Sequence, residues 1–140
     1  MTEPFALIVE DDVDLSEIFH EALAAAGYYT EVIRDGLVAQ DRLREITPTV
    51  VILDIHLPHV SGETLLQQIR SAPHLSGTRI VVTTADSQAA EFLRDSADLV
   101  MVKPISFVQL RDLAKRLNPA FQTDKFKSTN LPDKKEVSTD

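Results

Sequence analysis

The chain has 140 residues, of which 44% are hydrophobic and 26% charged, and these values are typical of one globular domain that can bury a real core. Its formal net charge of −8, without a basic stripe, argues against nucleic-acid binding by this domain, because that affinity depends on neutralising phosphates. The absence of cysteine excludes disulfides and thiolate metal sites. No apolar run approaches the roughly 20 residues of a membrane-spanning helix. We therefore expect a cytoplasmic protein without membrane attachment.

The first third of the chain predicts two strands joined by a helix. The apolar run Phe5–Val9 is typical of a strand that is buried on both faces. Residues 14–17 have the form of a capping box, and apolar residues at helical spacing continue to the stop signal Gly27, which predicts a helix of about 13 residues. Residues 28–33 alternate more and carry Glu31, so we expect this strand at an edge of the sheet.

A polar helix, a buried strand and a further helix are predicted next. Residues 35–36 form a turn signal, and the helix after them ends before Pro48, with an apolar side made by Leu37, Leu43 and Ile46. The run 50–53 predicts the third strand, which ends in Asp54. The loop 55–62 then leads to a third helix with a core face of Leu65, Leu66 and Ile69.

Two more strand and helix units follow. The run 80–82 predicts the fourth strand, and a short helix over 87–95 has only two apolar anchors, Ala90 and Leu93. The run 99–102 predicts the fifth strand. The last helix covers residues 107–117, and its inward face consists of Phe107, Leu110, Leu113, Ala114 and Leu117.

Five alternating units with short connections predict an α/β fold. Parallel strands need crossover helices, so we expect a doubly wound, five-stranded parallel sheet between two helical layers, a three-layer (βα)5 sandwich. Residues 1–118 are predicted to form this domain. Residues 119–140 are polar and lack periodicity, so we expect a mobile C-terminal tail and no output domain.

Acidic, hydroxyl and ammonium groups stand where four of the predicted strands end. Glu10 and Asp11 follow the first strand, Asp54 the third, Thr84 the fourth and Lys103 the fifth. Ligands of parallel sheets collect at the carboxyl ends of the strands, so we expect these groups to converge. Three carboxylates would repel one another there, and a hard cation such as Mg²⁺ would remove that conflict.

The acids after the first strand have a second interpretation. Residues 10–12 would also serve as caps of the first helix, where acids are favoured. Asp54 favours the metal site, since no helix begins directly after it. An aspartate beside Mg²⁺ can act as a nucleophile towards phosphorus, with the Lys103 ammonium and the Thr84 hydroxyl receiving phosphoryl oxygens.

In these motifs and their order, residues 5–117 resemble the receiver domain of two-component response regulators, and chemotaxis regulators in particular. The resemblance implies a flavodoxin-like fold with strand order 2-1-3-4-5. It implies that Asp54 is the phosphoacceptor. It also implies that Glu10 and Asp11 hold Mg²⁺ (or Mn²⁺) together with Asp54 and the backbone carbonyl of His56.

The resemblance extends to the residues around the acceptor. Pro58 and Gly62 match residues that shape the loop after it, and Ala85 matches a small residue that leaves the phosphoryl group room. The pair 103–104 matches a Lys-Pro pair whose peptide bond is cis in the family, which proline makes tolerable. Four residues occupy modulatory positions in the family pattern: His56, Ala85, Asp86 and Pro104. The resemblance implies that His56 and Asp86 flank the phosphoryl group and tune the rate of its loss.

Three features depart from the family pattern. The interval between Ala85 and Lys103 is shorter than usual, which predicts a clipped or distorted fourth helix. Residues 96–97 are Ser-Ala where many members have Gly-Ala. Val100 stands where the family often has a Tyr or Phe that moves inward with the threonine. We therefore expect the phosphorylation chemistry to be retained and the usual output element to be altered.

The resemblance implies a signalling switch. A sensor histidine kinase or a histidine phosphotransfer protein supplies a phosphohistidine, and Asp54 takes the phosphoryl group with Mg²⁺. The phosphorylated chain then acts on a downstream protein, or as a phosphorelay shuttle, through a population shift between two conformers. A homodimer through the last two helices is common in the family. No enzymatic activity is expected beyond self-catalysed phosphotransfer and autodephosphorylation.

Two other functions stay open at this point. A receiver-like interaction module that is never phosphorylated would have the same fold, and the short fourth helix and Val100 favour it. An aspartyl-phosphate phosphatase of the haloacid-dehalogenase type would share the strand-end nucleophile and Mg²⁺. Those enzymes, however, place a second aspartate where this chain has His56.

Overall fold

A computed structural model of the chain describes residues 3–121, and their centre is one parallel sheet. Its strand order is β2-β1-β3-β4-β5, as predicted. The strands are β1 (Phe5–Val9), β2 (Tyr29–Ile33), β3 (Val50–Asp54), β4 (Arg79–Thr84) and β5 (Leu99–Val102). Residues 122–140, most of the predicted C-terminal tail, lie outside the described residues.

Helices cover both faces of the sheet and complete the expected three layers. They are α1 (Val13–Ala25), α2 (Gly36–Arg42), α3 (Gly62–Ser71), α4 (Ser87–Leu93) and α5 (Phe107–Leu117). One core lies between the sheet and the pair α1 and α5, and the other lies between the sheet and the helices α2, α3 and α4. Each strand alternates its side chains between these two cores, which explains why strands β1, β3 and β4 are apolar along almost their whole length.

The first helix begins one residue before the predicted capping box. Asp12 is the N-cap, and its carboxylate accepts a hydrogen bond of 2.9 Å from the Leu15 amide. Residues 14–17 therefore lie inside the first turns, and the predicted cap was wrong by two positions. The predicted end is confirmed, because Gly27 follows the helix with a φ of +94° that favours glycine.

The predicted apolar side of helix α2 was wrong at one residue, whereas the predictions for helix α4 agree with the structure. Asp35 caps α2 by accepting from the Leu37 and Val38 amides, which turns the Leu37 side chain outward and leaves it 51% exposed. Helix α4 ends at Leu93, within the predicted range 87–95. Its two anchors, Ala90 and Leu93, are buried as predicted, and its seven residues agree with the expected short fourth helix.

Strand β2 lies at one edge of the sheet, as its charged residue predicts. The Glu31 carboxylate receives two hydrogen bonds from the Arg42 guanidinium of α2, at 2.9 and 3.1 Å. This bidentate pair joins the edge strand to the helix that follows it.

No helix among residues 3–121 has both the length and the apolar character that crossing a bilayer requires.

Candidate functional site

The carboxylates predicted to converge do so at the carboxyl end of the sheet. Val9 pairs with Leu53 in the parallel register, which brings Glu10 beside Asp54. The carboxylate oxygens of Glu10, Asp11 and Asp54 all lie within 4.8 Å of one another. Glu10 and Asp54 are only 1% and 3% exposed, whereas Asp11 is open to solvent. The cluster therefore has a buried floor and one accessible side.

The Lys103 ammonium enters this cluster from the end of β5. Its Nζ lies 3.0 Å from Glu10 Oε1 and 3.5 Å from Asp54 Oδ1. The Lys103 amide donates to the Thr84 carbonyl at 2.7 Å, and the Lys103–Pro104 peptide bond is cis, as expected. One cation thus faces three carboxylates.

Burial dominates the ionisation of the two inner acids. It raises the pKa of Glu10 to about 7, although the bonds from the Lys103 ammonium and the Asp12 amide oppose the change. Burial also raises the pKa of Asp54, against the effect of the His56 amide and the Lys103 charge. Burial lowers the pKa of Lys103, but its hydrogen bond to Glu10 and the charge of Asp54 outweigh this and raise it.

The cluster fits a hard divalent cation. The three carboxylates lie within 4.8 Å of one another, and two of them are nearly buried and have a raised pKa. Their negative charges are therefore not fully balanced by Lys103. Oxygen donors of this kind, with solvent access on one side, suit Mg²⁺ or Mn²⁺. Asp12 caps the helix, so the alternative interpretation holds for that residue and not for Glu10, whose carboxylate accepts from the Asp12 amide at 3.1 Å and from Lys103.

The loop after Asp54 contacts the Asp54 carboxylate. The His56 amide donates to Asp54 Oδ1 at 3.2 Å, and its side chain is exposed. An open cavity beside the cluster is lined by residues of this loop together with Asp11 and Ala89. His56 and Pro58 are among its lining residues, so the predicted loop positions border the accessible side of the site.

Thr84 and its neighbours lie at the same sheet edge. The Thr84 side chain is fully buried, and its hydroxyl accepts a hydrogen bond of 3.1 Å from the Asp86 amide. Ala85 is exposed. The Asp86 carboxylate caps α4 by accepting from the Gln88 and Ala89 amides. Both predicted modulators near the threonine are therefore accessible, and one of them also begins the helix.

One polar residue of the site was missed by sequence reasoning. Thr83 pairs directly with Asp54 in the register of β3 and β4, and its side chain is fully buried. The strand alternation contains the signal that would have found it, since Asp54 and Thr83 face the same side of the sheet. Val100, the predicted departure in β5, packs in the opposite core with the residues under α4.

The raised pKa of Glu10 predicts a pH dependence of stability in the metal-free protein. Unfolded Glu10 ionises near pH 4.5 but the folded residue near pH 7, so folding is favoured below this window and loses stability as the pH rises through it. The measured quantity is the Tm of the native chain minus the Tm of Glu10→Gln, with a chelator present. We expect this difference to fall by about 5 °C between about pH 5 and pH 7.5. An equal Tm difference at both pH values would contradict this account.

The comparisons with known proteins agree with this geometry. The family model described as the response regulator receiver domain matches residues 6–115. The phosphate regulon transcriptional regulatory protein PhoB of Rhizobium meliloti is 36% identical over 110 residues, which are 76% of this chain and 48% of PhoB. The DNA-binding response regulator MtrA of Mycolicibacterium paratuberculosis is 35% identical over 101 residues, 70% of this chain and 44% of MtrA. The chain thus spans about half the length of these two curated relatives.

A solved structure supports the fold independently. The receiver domain of a sensor histidine kinase from Pseudomonas aeruginosa, solved with a magnesium ion coordinated in its active-site cleft, superposes with a TM-score of 0.74. The two chains are 21% identical, and the match covers 83% of this chain and 98% of the other. At this identity the likeness is one of fold.

Proposed function

The chain belongs to the response regulator receiver domain family, and from this membership we propose that Asp54 accepts a phosphoryl group and thereby switches the protein between two signalling states. One observation supports the proposal most directly. A buried aspartate, two further carboxylates and a lysine ammonium meet at one sheet edge, with Nζ of Lys103 3.0 Å from Glu10 and 3.5 Å from Asp54. This set combines a nucleophile with groups that bind charged oxygens.

In the proposed reaction, the donor is a phosphohistidine of a sensor histidine kinase or of a histidine phosphotransfer protein. A carboxylate oxygen of Asp54 attacks phosphorus, a P–O bond forms, the P–N bond to the histidine breaks, and the imidazole leaves with the bonding pair. When bound at Glu10, Asp11, Asp54 and the His56 carbonyl, Mg²⁺ (or Mn²⁺) supplies positive charge beside the transferred oxygens. The magnesium reported in the Pseudomonas receiver supports that assignment.

Lys103 and Thr84 complete the proposed oxygen contacts. Lys103 is already beside Asp54, so its ammonium can follow one phosphoryl oxygen with little movement. The Thr84 hydroxyl is bonded to the Asp86 amide and must turn away from it to reach another oxygen. That exchange alters the start of α4, which Asp86 caps. We propose it as the structural step that links phosphorylation to output.

Four residues are proposed to modulate the lifetime of the phosphorylated state. His56 and Asp86 border the accessible side of the site and would govern how water approaches the phosphoryl group. The small side chain of Ala85 leaves room beside it. Pro104 completes the cis bond after Lys103. We propose self-catalysed transfer and slow hydrolysis as the only chemistry, without turnover of many substrates.

An exposed apolar face is proposed to bind the downstream partner. Its residues come from α4, β5 and the start of α5, with exposures between 38% and 87%: Phe92, Leu99, Val102 and Val108. Large exposed apolar side chains on neighbouring elements are typical of protein interfaces. We propose that the partner is a separate protein or a second copy of this chain, in the cytoplasm. The transcriptional regulation by PhoB and the DNA binding of MtrA are properties of those proteins, and we propose no nucleic acid as a partner of this acidic domain.

Substitution of Phe92 tests that face. The Phe92 ring is 87% exposed, so Phe92→Ser removes apolar surface without opening a cavity in the core. If the second copy is the partner, phosphorylation raises the dimer fraction, and this variant weakens the dimer about tenfold with phosphorylation unchanged. Sedimentation velocity before and after incubation with acetyl phosphate measures the dimer fraction. Tyr29→Ser, at the opposite sheet edge and 61% exposed, is the matched control. Equal dimerisation of both variants would exclude this face as the dimer interface.

Phosphorylation itself is tested with a small donor. The chain is incubated with Mg²⁺ and acetyl phosphate, and its intact mass is followed with time. We expect the addition of one phosphoryl group and its slow loss after the donor is removed. No addition would favour the interaction module that is never phosphorylated. Continuous release of phosphate with many turnovers would favour the phosphatase.

A further inference from the structure

Thr83 carries a buried hydroxyl that has no partner. The residue is fully buried, and its Oγ1 makes no hydrogen bond to any group among residues 3–121. The neighbouring Thr84 hydroxyl, by contrast, accepts from the Asp86 amide. An unpaired hydroxyl in a protein interior costs about 1–3 kcal/mol, so such a group calls for a physical reason.

The sheet register locates this hydroxyl beside Asp54, the proposed phosphoacceptor. Asp54 pairs with Thr83, and Thr83 pairs with Met101 on the far side. Paired residues of parallel strands face the same side of the sheet. Met101 and Val81 contact the core under α1 and α5, so Thr83, two residues after Val81, faces that side as well.

The charged groups of the site lie on this same side. Glu10 follows Ile8 by two residues, and Lys103 follows Met101 by two, and both Ile8 and Met101 belong to the α1 and α5 side. The Lys103 side chain reaches from the end of β5 to Glu10 and Asp54, and strand β4, which carries Thr83, lies between β5 and the strands of those acids. The unpaired hydroxyl is therefore part of the floor of the site, between the acceptor and the strand that carries the lysine.

The lysine must change partners during the proposed reaction. An ammonium has three N–H donors, and that of Lys103 now bonds Glu10 and approaches Asp54. A cation on the carboxylates and a phosphoryl group on Asp54 would both compete for these acceptors. A neutral oxygen acceptor in the floor of the site would hold the ammonium away from water and oriented towards Asp54.

We propose that Thr83 is a positioning residue for phosphoryl transfer, whose hydroxyl accepts a hydrogen bond from the Lys103 ammonium, directly or through one buried water, when Glu10 and Asp54 are engaged. This inference rests on the proposed function of Asp54. It assigns a role to the residue of β4 directly before Thr84. Unlike Thr84, this residue does not itself contact the phosphoryl group.

Two pairs of variants isolate the hydroxyl. Thr83→Val replaces it with a methyl group of similar size, and Thr83→Ser keeps it while Thr83→Ala does not. The rate of phosphorylation by acetyl phosphate is measured against donor concentration by intact mass, together with Tm. We expect the maximal rate of the Val and Ala variants to fall about tenfold, with Ser within about threefold of the native chain and the donor concentration for half-maximal rate unchanged.

Stability separates this role from a merely structural one. Removal of an unpaired buried hydroxyl leaves the Tm of Thr83→Val equal or higher, so a slower reaction at unchanged Tm supports the positioning role. Equal maximal rates for Val and the native chain, or for Ala and Ser, would overturn it. A native chain that takes up no phosphoryl group would instead remove the proposed function, and the two failures are thus distinguishable.

Discussion

Replacing Asp54 with asparagine is expected to abolish phosphoryl uptake from acetyl phosphate completely. The amide is nearly the same size as the carboxylate but is uncharged and a poor nucleophile, so no acyl phosphate can form. It also removes one of the three carboxylates that could hold a cation. The buried position of Asp54, 3% exposed, tolerates the neutral amide without the cost of burying a charge, so the fold should persist. Intact mass after incubation with Mg²⁺ and acetyl phosphate measures the outcome.

Asp12→Asn is the matched control for this experiment. It makes the same chemical change in a neighbouring acid whose side chain only caps α1, and asparagine caps helices as well as aspartate does. We expect this variant to be phosphorylated at the native rate. Uptake by Asp54→Asn equal to that of the control would mean that the phosphoryl group goes elsewhere, and Asp54 would no longer be the proposed acceptor.

Gly62→Ala is expected to cause a severe loss of stability. A Cβ at Gly62 would lie 2.4 Å from the Asp54 carbonyl oxygen and 2.6 Å from the Ile55 Cα, which are both backbone atoms. Neither can turn aside as a flexible side chain would, so the strand end that carries Asp54 must move. We expect the free energy of unfolding in urea to fall by roughly 3–5 kcal/mol, a range reserved for severe steric conflicts.

Gly77→Ala provides the comparison. The space around a Cβ at Gly77 is open to 4 Å, and its φ does not require glycine. The same added methyl group should therefore change the free energy of unfolding by less than about 1 kcal/mol, in either direction. Equal destabilisation by the two substitutions would show that the close approach at Gly62 is not what makes glycine necessary there.

The fold was predictable because its strands carry their own signal. Strands that are buried on both faces must be apolar throughout, so β1, β3 and β4 stand out in the sequence without any knowledge of their partners. Helix boundaries are less certain because neighbouring acids compete for one capping role. Residues 12 and 14 both precede apolar spacing, and only the backbone geometry selects Asp12.

The candidate site was predictable for the same reason. A charged residue that directly follows a buried strand is carried to the sheet edge whatever the rest of the chain does, and this located Glu10, Asp54 and Lys103 together. The sequence pattern does not reveal which groups pair there. That Lys103 bonds Glu10 more closely than Asp54, and that Thr83 remains unpaired, depends on the register across four strands.

The exposed face shows a further limit. Phe92 is an apolar residue in a short helix, and helical spacing alone does not say that it is 87% exposed while Leu93, the next residue, is buried. The rotation of α4 about its axis settles that, and packing against β4 and β5 sets the rotation. A seven-residue helix has too few turns to define an apolar side by periodicity.

Local patterns were enough to predict the parallel sheet, the succession of its five units and the residues at its carboxyl edge, because alternation and strand-end position depend only on neighbours along the chain. The distances between those residues, the raised pKa of Glu10, the unpaired hydroxyl of Thr83 and the close approach at Gly62 follow instead from the packing of the folded chain. Each of these arises from atoms that are distant in sequence and become neighbours only when the strands align and the helices pack.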